Sequence, residues 1–371
     1  MMNESTEISK IETDDSKTNW KKELLNWNII SKNRNLLFGI AILWIMMMHS
    51  FEYDGIKGWF AFKKVKHLVG IYNAVRVGGI GVDIFLFLSG IGLFYSFSSC
   101  PDIKKFYLKR LHRIVIPYLI LGGAYLFFIN ILAGKDVVEF FKDLGWITYY
   151  KDGVATYWYI NFILIMYLIY PLIYRLLEGR YRNLSLAGML ALAFLLIYLV
   201  YSYNFTLYDN IEQSLTRIPI FIIGCYWGRL VKDKRPIREF WIIYALVIPW
   251  LGGILQYIGY RDIFPWTVSR RIWYGMMAIS ICILFSLLLS IAELKYIKKF
   301  LNFAGTLSLE LYLSHIAMKG VLKRIFPHWA KWSMTKSCFR YFVGVVVASF
   351  LISVVYHFLS DRIGRKIKYR K

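Results

Sequence analysis

With 371 residues, 58% of them hydrophobic and 18% aromatic, and a mean hydropathy of +0.47, the chain is far more apolar than a soluble domain, whose apolar share is roughly 45–50%. That excludes a soluble enzyme and points to an integral membrane protein. Lys and Arg outnumber Asp and Glu by 46 to 23, a formal charge of +23, which is the surplus expected of loops facing anionic lipid and calls for no nucleic-acid partner.

Residues 1–33 are polar, mixed in charge and without the apolar core of a secretory signal, so they read as a cytoplasmic tail. Within them Trp20, Leu24, Leu25 and Trp27 approximate one face of a short membrane-surface helix. Ten apolar segments of spanning length follow, at about 34–51, 77–98, 114–133, 157–177, 184–203, 214–230, 239–258, 272–292, 302–322 and 339–359. They predict an all-α integral membrane protein, a bundle of about ten transmembrane helices forming one domain over 34–360. A basic tail, 361–371, closes the chain. Lys and Arg around the spans are more numerous on the side of the two ends, which orients both termini to the cytoplasm. No long polar segment follows the last span, so the chemistry is expected in or between the helices. The four cysteines lie far apart with no Cys-x-x-Cys pair, so neither a metal site nor a disulfide framework is signalled.

The first span, FGIAILWIMMMHS, is uncharged and apolar on every side until it ends on His49, the first candidate functional residue. The second, GGIGVDIFLFLSGIGLFYS, opens with Asp83, a carboxylate that must be solvated, paired, capped onto free backbone amides or placed on a cavity. Its small residues Gly81, Ser89, Gly90 and Gly92 let a neighbouring backbone approach. In FYLKRLHRIVIPY, Arg110 and Arg113 stand i,i+3 on one helix face, with Lys109 beside them. Two guanidiniums one turn apart suit the phosphates of an anionic ligand, although a positive flank of a membrane helix looks the same. Trp158 opens the fourth span and reads either as an aromatic-belt anchor or as a platform for a carbohydrate ring. In LSLELYLSH, Glu310 is the costliest residue of the ninth span and needs a partner such as His49, an arginine or water. Glu310 and His315, five residues apart, point to rather different sides of their helix, with Tyr312 on yet another.

GIAILWIMMMH, GVDIFLFLSG, the Arg-x-x-Arg of KRLHRIVIPY, YWYINFILIMYLIYPLI and LSLELYLSH occur in the order seen in the multi-pass membrane O-acyltransferases called the acyltransferase type three family, and the chain resembles that family over residues 34–330. The resemblance implies transfer of an acyl group, usually acetyl, from cytoplasmic acetyl-CoA to a hydroxyl on a cell-envelope carbohydrate or lipid-linked glycan. It implies His49 as the catalytic residue, which either acts as general base for direct attack or first accepts the acyl group itself as a nucleophile; Asp83 and Glu310 are further catalytic candidates. Arg110 and Arg113 map onto the arginine pair associated with CoA, and Trp158, Tyr312 and His315 are candidates for the acceptor side. The family commonly has an arginine eleven positions before the histidine. Phe38 occupies that place here, and Arg34, one turn nearer the cytoplasm, is the expected substitute. The plasma membrane, with membrane lipid around the bundle, is the implied location, and a Lys/Ile/Asn/Tyr-rich composition suggests a bacterium. The alternative is a transporter or flippase of a glycan or lipid-linked substrate, since intramembrane charges also mark transport paths. No repeat at half length and no matched pair of broken helices supports it.

Overall fold

A computed structural model describes residues 25–51, 75, 77–134, 136–257, 267–326 and 336–368. Its regular structure is helical, and among the described residues extended pairing is limited to one bridge between Asn26 and Pro236. In chain order the helices are α1 (Asn28–Lys32), α2 (Arg34–Phe51), α3 (Ile80–Ser99), α4 (Ile103–Asn130), α5 (Val137–Leu144), α6 (Ile147–Asp152) and α7 (Trp158–Glu178). They continue as α8 (Arg182–Tyr203), α9 (Phe205–Leu215), α10 (Ile218–Lys232), α11 (Glu239–Tyr257), α12 (Thr267–Ile291), α13 (Lys295–Thr306), α14 (Ser308–Ile325) and α15 (Lys336–Lys368).

Among the described residues six helices are long and apolar enough to cross a membrane: α3, α4, α7 and α8, the part Arg271–Ile291 of α12 and the part Arg340–Arg362 of α15. The apolar parts Arg34–His49 of α2 and Glu239–Gly252 of α11 are shorter. Nine of the ten expected segments therefore coincide with one helix each, of which six have spanning length. The ninth does not. It is split at Leu307 into α13 and α14, and α13 begins at Lys295, seven residues before the expected start. Near the break Thr306 Oγ1 donates to the carbonyl of Asn302 at 2.8 Å, a back-bond that bends helices.

The apolar window of α3 is 72% buried, against 11% for α8 and 17% for the window of α15, so α3 lies at the centre and the other two face outward into lipid. Two crossings depend on glycine. A Cβ on Gly90 of α3 would stand 2.6 Å from the backbone nitrogen of Cys225 on α10, and one on Gly224 would strike the carbonyl oxygen of Phe87. Likewise Gly39 of α2 lies against the backbone of Leu301 on α13, and Gly305 against that of Asn35. Small residues bring these backbones close because lipid supplies no hydrophobic drive for helix pairing, leaving packing to hold them together.

Trp27 does not lie on the surface. Trp27 is 2% exposed, its ring 5.7 Å from those of both Trp227 and Trp241, and its backbone N–H donates to the carbonyl of Arg235 at 2.9 Å. Trp20 and Leu24 of that expected helix fall outside the described residues. In α4, two π-helical turns, Leu111–Val115 and Tyr118–Gly122, flank Pro117, whose missing N–H and ring disturb the i→i−4 ladder. This widening sits where Arg110 and Arg113 enter the bundle.

Candidate active site

α2 and α14 pack directly, which brings His49 against His315 although they stand 266 positions apart. Their rings stack with centroids 5.3 Å apart at 12°, and His49 Nδ1 lies 3.0 Å from His315 Nε2. His315 is fully buried, and its Nδ1 is 2.9 Å from the carbonyl oxygen of Leu311. A carbonyl oxygen only accepts, so His315 carries its proton on Nδ1 and offers the lone pair of Nε2. In the neutral pair His49 must then donate from Nδ1. Its own Nε2 is left with a free lone pair, which is the form a proton acceptor or nucleophile needs.

A cavity of about 200 Å³ runs alongside α2, lined from Arg34 to Ile45 on that helix. One end is lined by Ile45, Val82, Phe85 and Tyr312. Ile45 is one helical turn from His49, and the Tyr312 ring is 5.7 Å from that of His315, so this apolar end is the one nearer the histidines, although neither of them lines the cavity. The other end is lined by Arg34, Lys109, Arg110 and Arg113. Among the described residues none of these four cations pairs with a carboxylate.

Arg34 and Arg110 are each held by an aromatic ring and a small neighbour. The Arg34 guanidinium lies 5.0 Å over the ring of Phe38, itself stacked on Phe85, and Gly92 leaves room for it, since a Cβ there would come within 2.6 Å of Arg34 Nη2. Arg110 lies over Phe106 and Tyr167 and donates to Ser96 Oγ at 3.2 Å. The Nε atoms of Arg34 and Arg110 are buried without a hydrogen-bond partner. A cluster of unneutralised guanidiniums with donors to spare is a site for a polyanion.

Three candidates lie elsewhere. Asp83 is ion-paired with Arg217 of the α9–α10 junction at 3.4 Å, both groups almost completely buried, and it does not line the cavity. Trp158 is 8% exposed and sits under that same Arg217 guanidinium at 5.1 Å, so its ring face is occupied by a cation. Glu310 turns to α15, its Oε1 3.5 Å from Nδ1 of His357, because five residues carry it about 140° around the helix from His315. Sequence reasoning missed Arg217 and the cavity residues Tyr159, Tyr167 and Ser308. Arg217 alone left a trace, as an arginine directly preceding the apolar run IPIFIIG.

The family model described as an acyltransferase domain, type 3, matches residues 35–358. The chain belongs to the acyltransferase type three family. The match includes both histidines of the pair and Arg110 and Arg113, and Arg34 falls one residue outside it. The chain is also 24% identical over 268 residues to a protein of Acidianus two-tailed virus named "Putative acetyltransferase ORF330", covering 67% of this chain and 75% of the viral one. No solved structure matches the chain significantly.

Proposed function

We propose that this acyltransferase moves an acetyl group from acetyl-CoA to a hydroxyl of a carbohydrate, with His49 as the general base. The observation that carries the reading is the cavity with four cations at one end that pair with no carboxylate among the described residues and, behind Ile45 and Tyr312 at the other, a histidine pair whose tautomer leaves His49 Nε2 free. Arg34, Arg110 and Arg113, with Lys109, would hold the phosphates of the donor, and the apolar passage past Phe38, Phe85 and Ile45 would take its uncharged thioester arm. Acetyl is favoured over longer chains by the name of the viral relative.

In the proposed step the sugar oxygen attacks the thioester carbonyl carbon while His49 Nε2 accepts its proton. The C–S bond then breaks, the ester is complete, and the departing thiolate takes up the proton from the imidazolium. A sugar hydroxyl is a poor nucleophile near neutral pH, so this proton acceptance is where a positioned imidazole contributes most. His315 supports it by accepting from His49 Nδ1, which orients the ring and stabilises its protonated form. The acceptor is proposed to be a polysaccharide or lipid-linked glycan of a bacterial cell envelope. The protein would lie in the plasma membrane with both termini and the cationic end of the cavity on the cytoplasmic side.

The test is release of acetyl groups from labelled acetyl-CoA by the purified protein in lipid. We expect turnover that falls about 10²–10⁴-fold in His49→Ala, and a raised KM for the donor with little change in kcat in Arg34→Ala and Arg110→Ala. Absence of binding and turnover with every short acyl-CoA would remove the donor assignment. An unchanged KM in Arg34→Ala would remove Arg34 from it.

A further inference from the structure

Arg110 and Tyr167 do not only line the cavity. They are also the inner wall of a separate groove of about 400 Å³ on the outside of the bundle, between α4 and α7. Lys104, Leu108, Leu111 and Val115 run along this groove at i, i+4, i+7 and i+11, one stripe of a helix, and face Leu164 and Leu168 across it. Leu108, Leu111 and Leu168 are about half exposed or more, so the trough opens to the bilayer rather than to the protein interior. Its charged lining residues are Lys104 and Arg110, both cationic. Among the described residues neither Lys104 nor Arg110 has a carboxylate partner, and the Arg110 guanidinium donates to the hydroxyls of Ser96 and Tyr167.

We propose that this groove binds an anionic glycerophospholipid of the surrounding leaflet. The phosphate would sit at Lys104 and the groove-side edge of Arg110, and one acyl chain would lie along Leu108, Leu111 and Val115. The charge pattern selects the occupant. A trough that is cationic at one end and apolar over the rest complements a headgroup of net negative charge on a hydrocarbon chain. A zwitterionic lipid brings its own cation to the same place, and a free phosphate leaves the apolar stripe uncovered. Because Arg110 stands in the wall shared with the cavity, the bound headgroup holds that guanidinium in place from behind. The site is argued from the groove alone and does not depend on the acyl-transfer reading.

The experiment is retention of lipid by the full chain, purified in detergent after exposure to phosphatidylglycerol or phosphatidylcholine and read by native mass spectrometry. We expect phosphatidylglycerol to be retained several-fold over phosphatidylcholine, and Lys104→Ala and Leu108→Trp each to reduce that retention several-fold while keeping the thermal midpoint of the parent. Inorganic phosphate is expected not to displace the lipid. Equal retention of the two lipids, unchanged retention in either folded variant, or displacement by phosphate overturns the proposal. Should a variant fail to fold, a photoactivatable phosphatidylglycerol on the unaltered protein decides it. Labelling within 103–115 or 164–168 is the expected result, and labelling confined to other helices overturns it.

Discussion

His49 and His315 show how much one backbone carbonyl can decide. Leu311 fixes the proton on His315 Nδ1, His315 fixes the proton on His49 Nδ1, and the lone pair that chemistry needs emerges at His49 Nε2. His315 is thus a positioning residue for His49. A neutral hydrogen bond contributes about 1 kcal/mol, so His315→Ala should lower kcat roughly five- to tenfold and displace the acid limb of the pH–rate profile, with the donor KM unchanged. His315→Gln, whose amide oxygen can accept from His49 Nδ1, should recover most of the rate. A purely structural role would leave the pH profile of His315→Ala in place. The two histidines were each conspicuous in the sequence, but their pairing was not, since they stand 266 positions apart. Asp83 was conspicuous for the same reason, as a carboxylate in an apolar run. Its partner, Arg217, is 134 residues away and makes it half of a buried ion pair that joins α3 to the α9–α10 junction.

Helices rather than loops set the site, and their crossings set the helices. Gly90 and Gly224 bring α3 and α10 into backbone contact, which keeps α3 in register with α2 on its other side, where Gly81 lies against Ala41 and Ile45. Gly224→Leu should cost about 1–3 kcal/mol of stability or more through overpacking, read as a lower thermal midpoint in detergent. Gly188→Leu on the outward-facing α8, where a Cβ would meet nothing within 4 Å, should leave the midpoint unchanged or raise it. Equal effects at the two glycines would mean that the α3–α10 crossing is not what the structure shows. Apolar length and composition located most of the long helices, but not the short ones Val137–Leu144, Ile147–Asp152 and Phe205–Leu215, nor the start of α4, which lies at Ile103 rather than near 114. They could not locate the break at Leu307, because Thr306 back-bonding and the seat of Gly305 on Asn35 leave no mark on hydropathy. The same break frees α14 to turn His315 toward α2 and Glu310 toward α15.

At the scale of the whole bundle the strongest asymmetry is electrostatic. Arg34 from α2 and Lys109, Arg110 and Arg113 from α4 converge on one end of the cavity without a carboxylate among the described residues, and such mutual repulsion persists in the folded protein unless an anion relieves it. CoA should therefore stabilise the protein in detergent, by about 2.7 kcal/mol at a concentration 100 times its Kd. The rise in thermal midpoint should shrink with added salt and be largely lost in Arg110→Ala. A midpoint indifferent to CoA would argue against a donor site at this end of the cavity, whatever the turnover assay gives.

Hydropathy alone determined that the chain is a helical membrane protein, because burying some twenty apolar residues at a time is possible only in lipid or in a bundle within it. Single residues that violate that rule, His49, Asp83 and Glu310, announced themselves through their cost. Which of them belong together was decided by the tertiary structure, since a helix projects its side chains in all directions and only packing selects the face that meets a neighbour. Thus His49 found His315, Arg34 took its place over the ring of Phe38 beside the arginine pair, and Asp83, Trp158 and Glu310 were turned to partners away from the cavity.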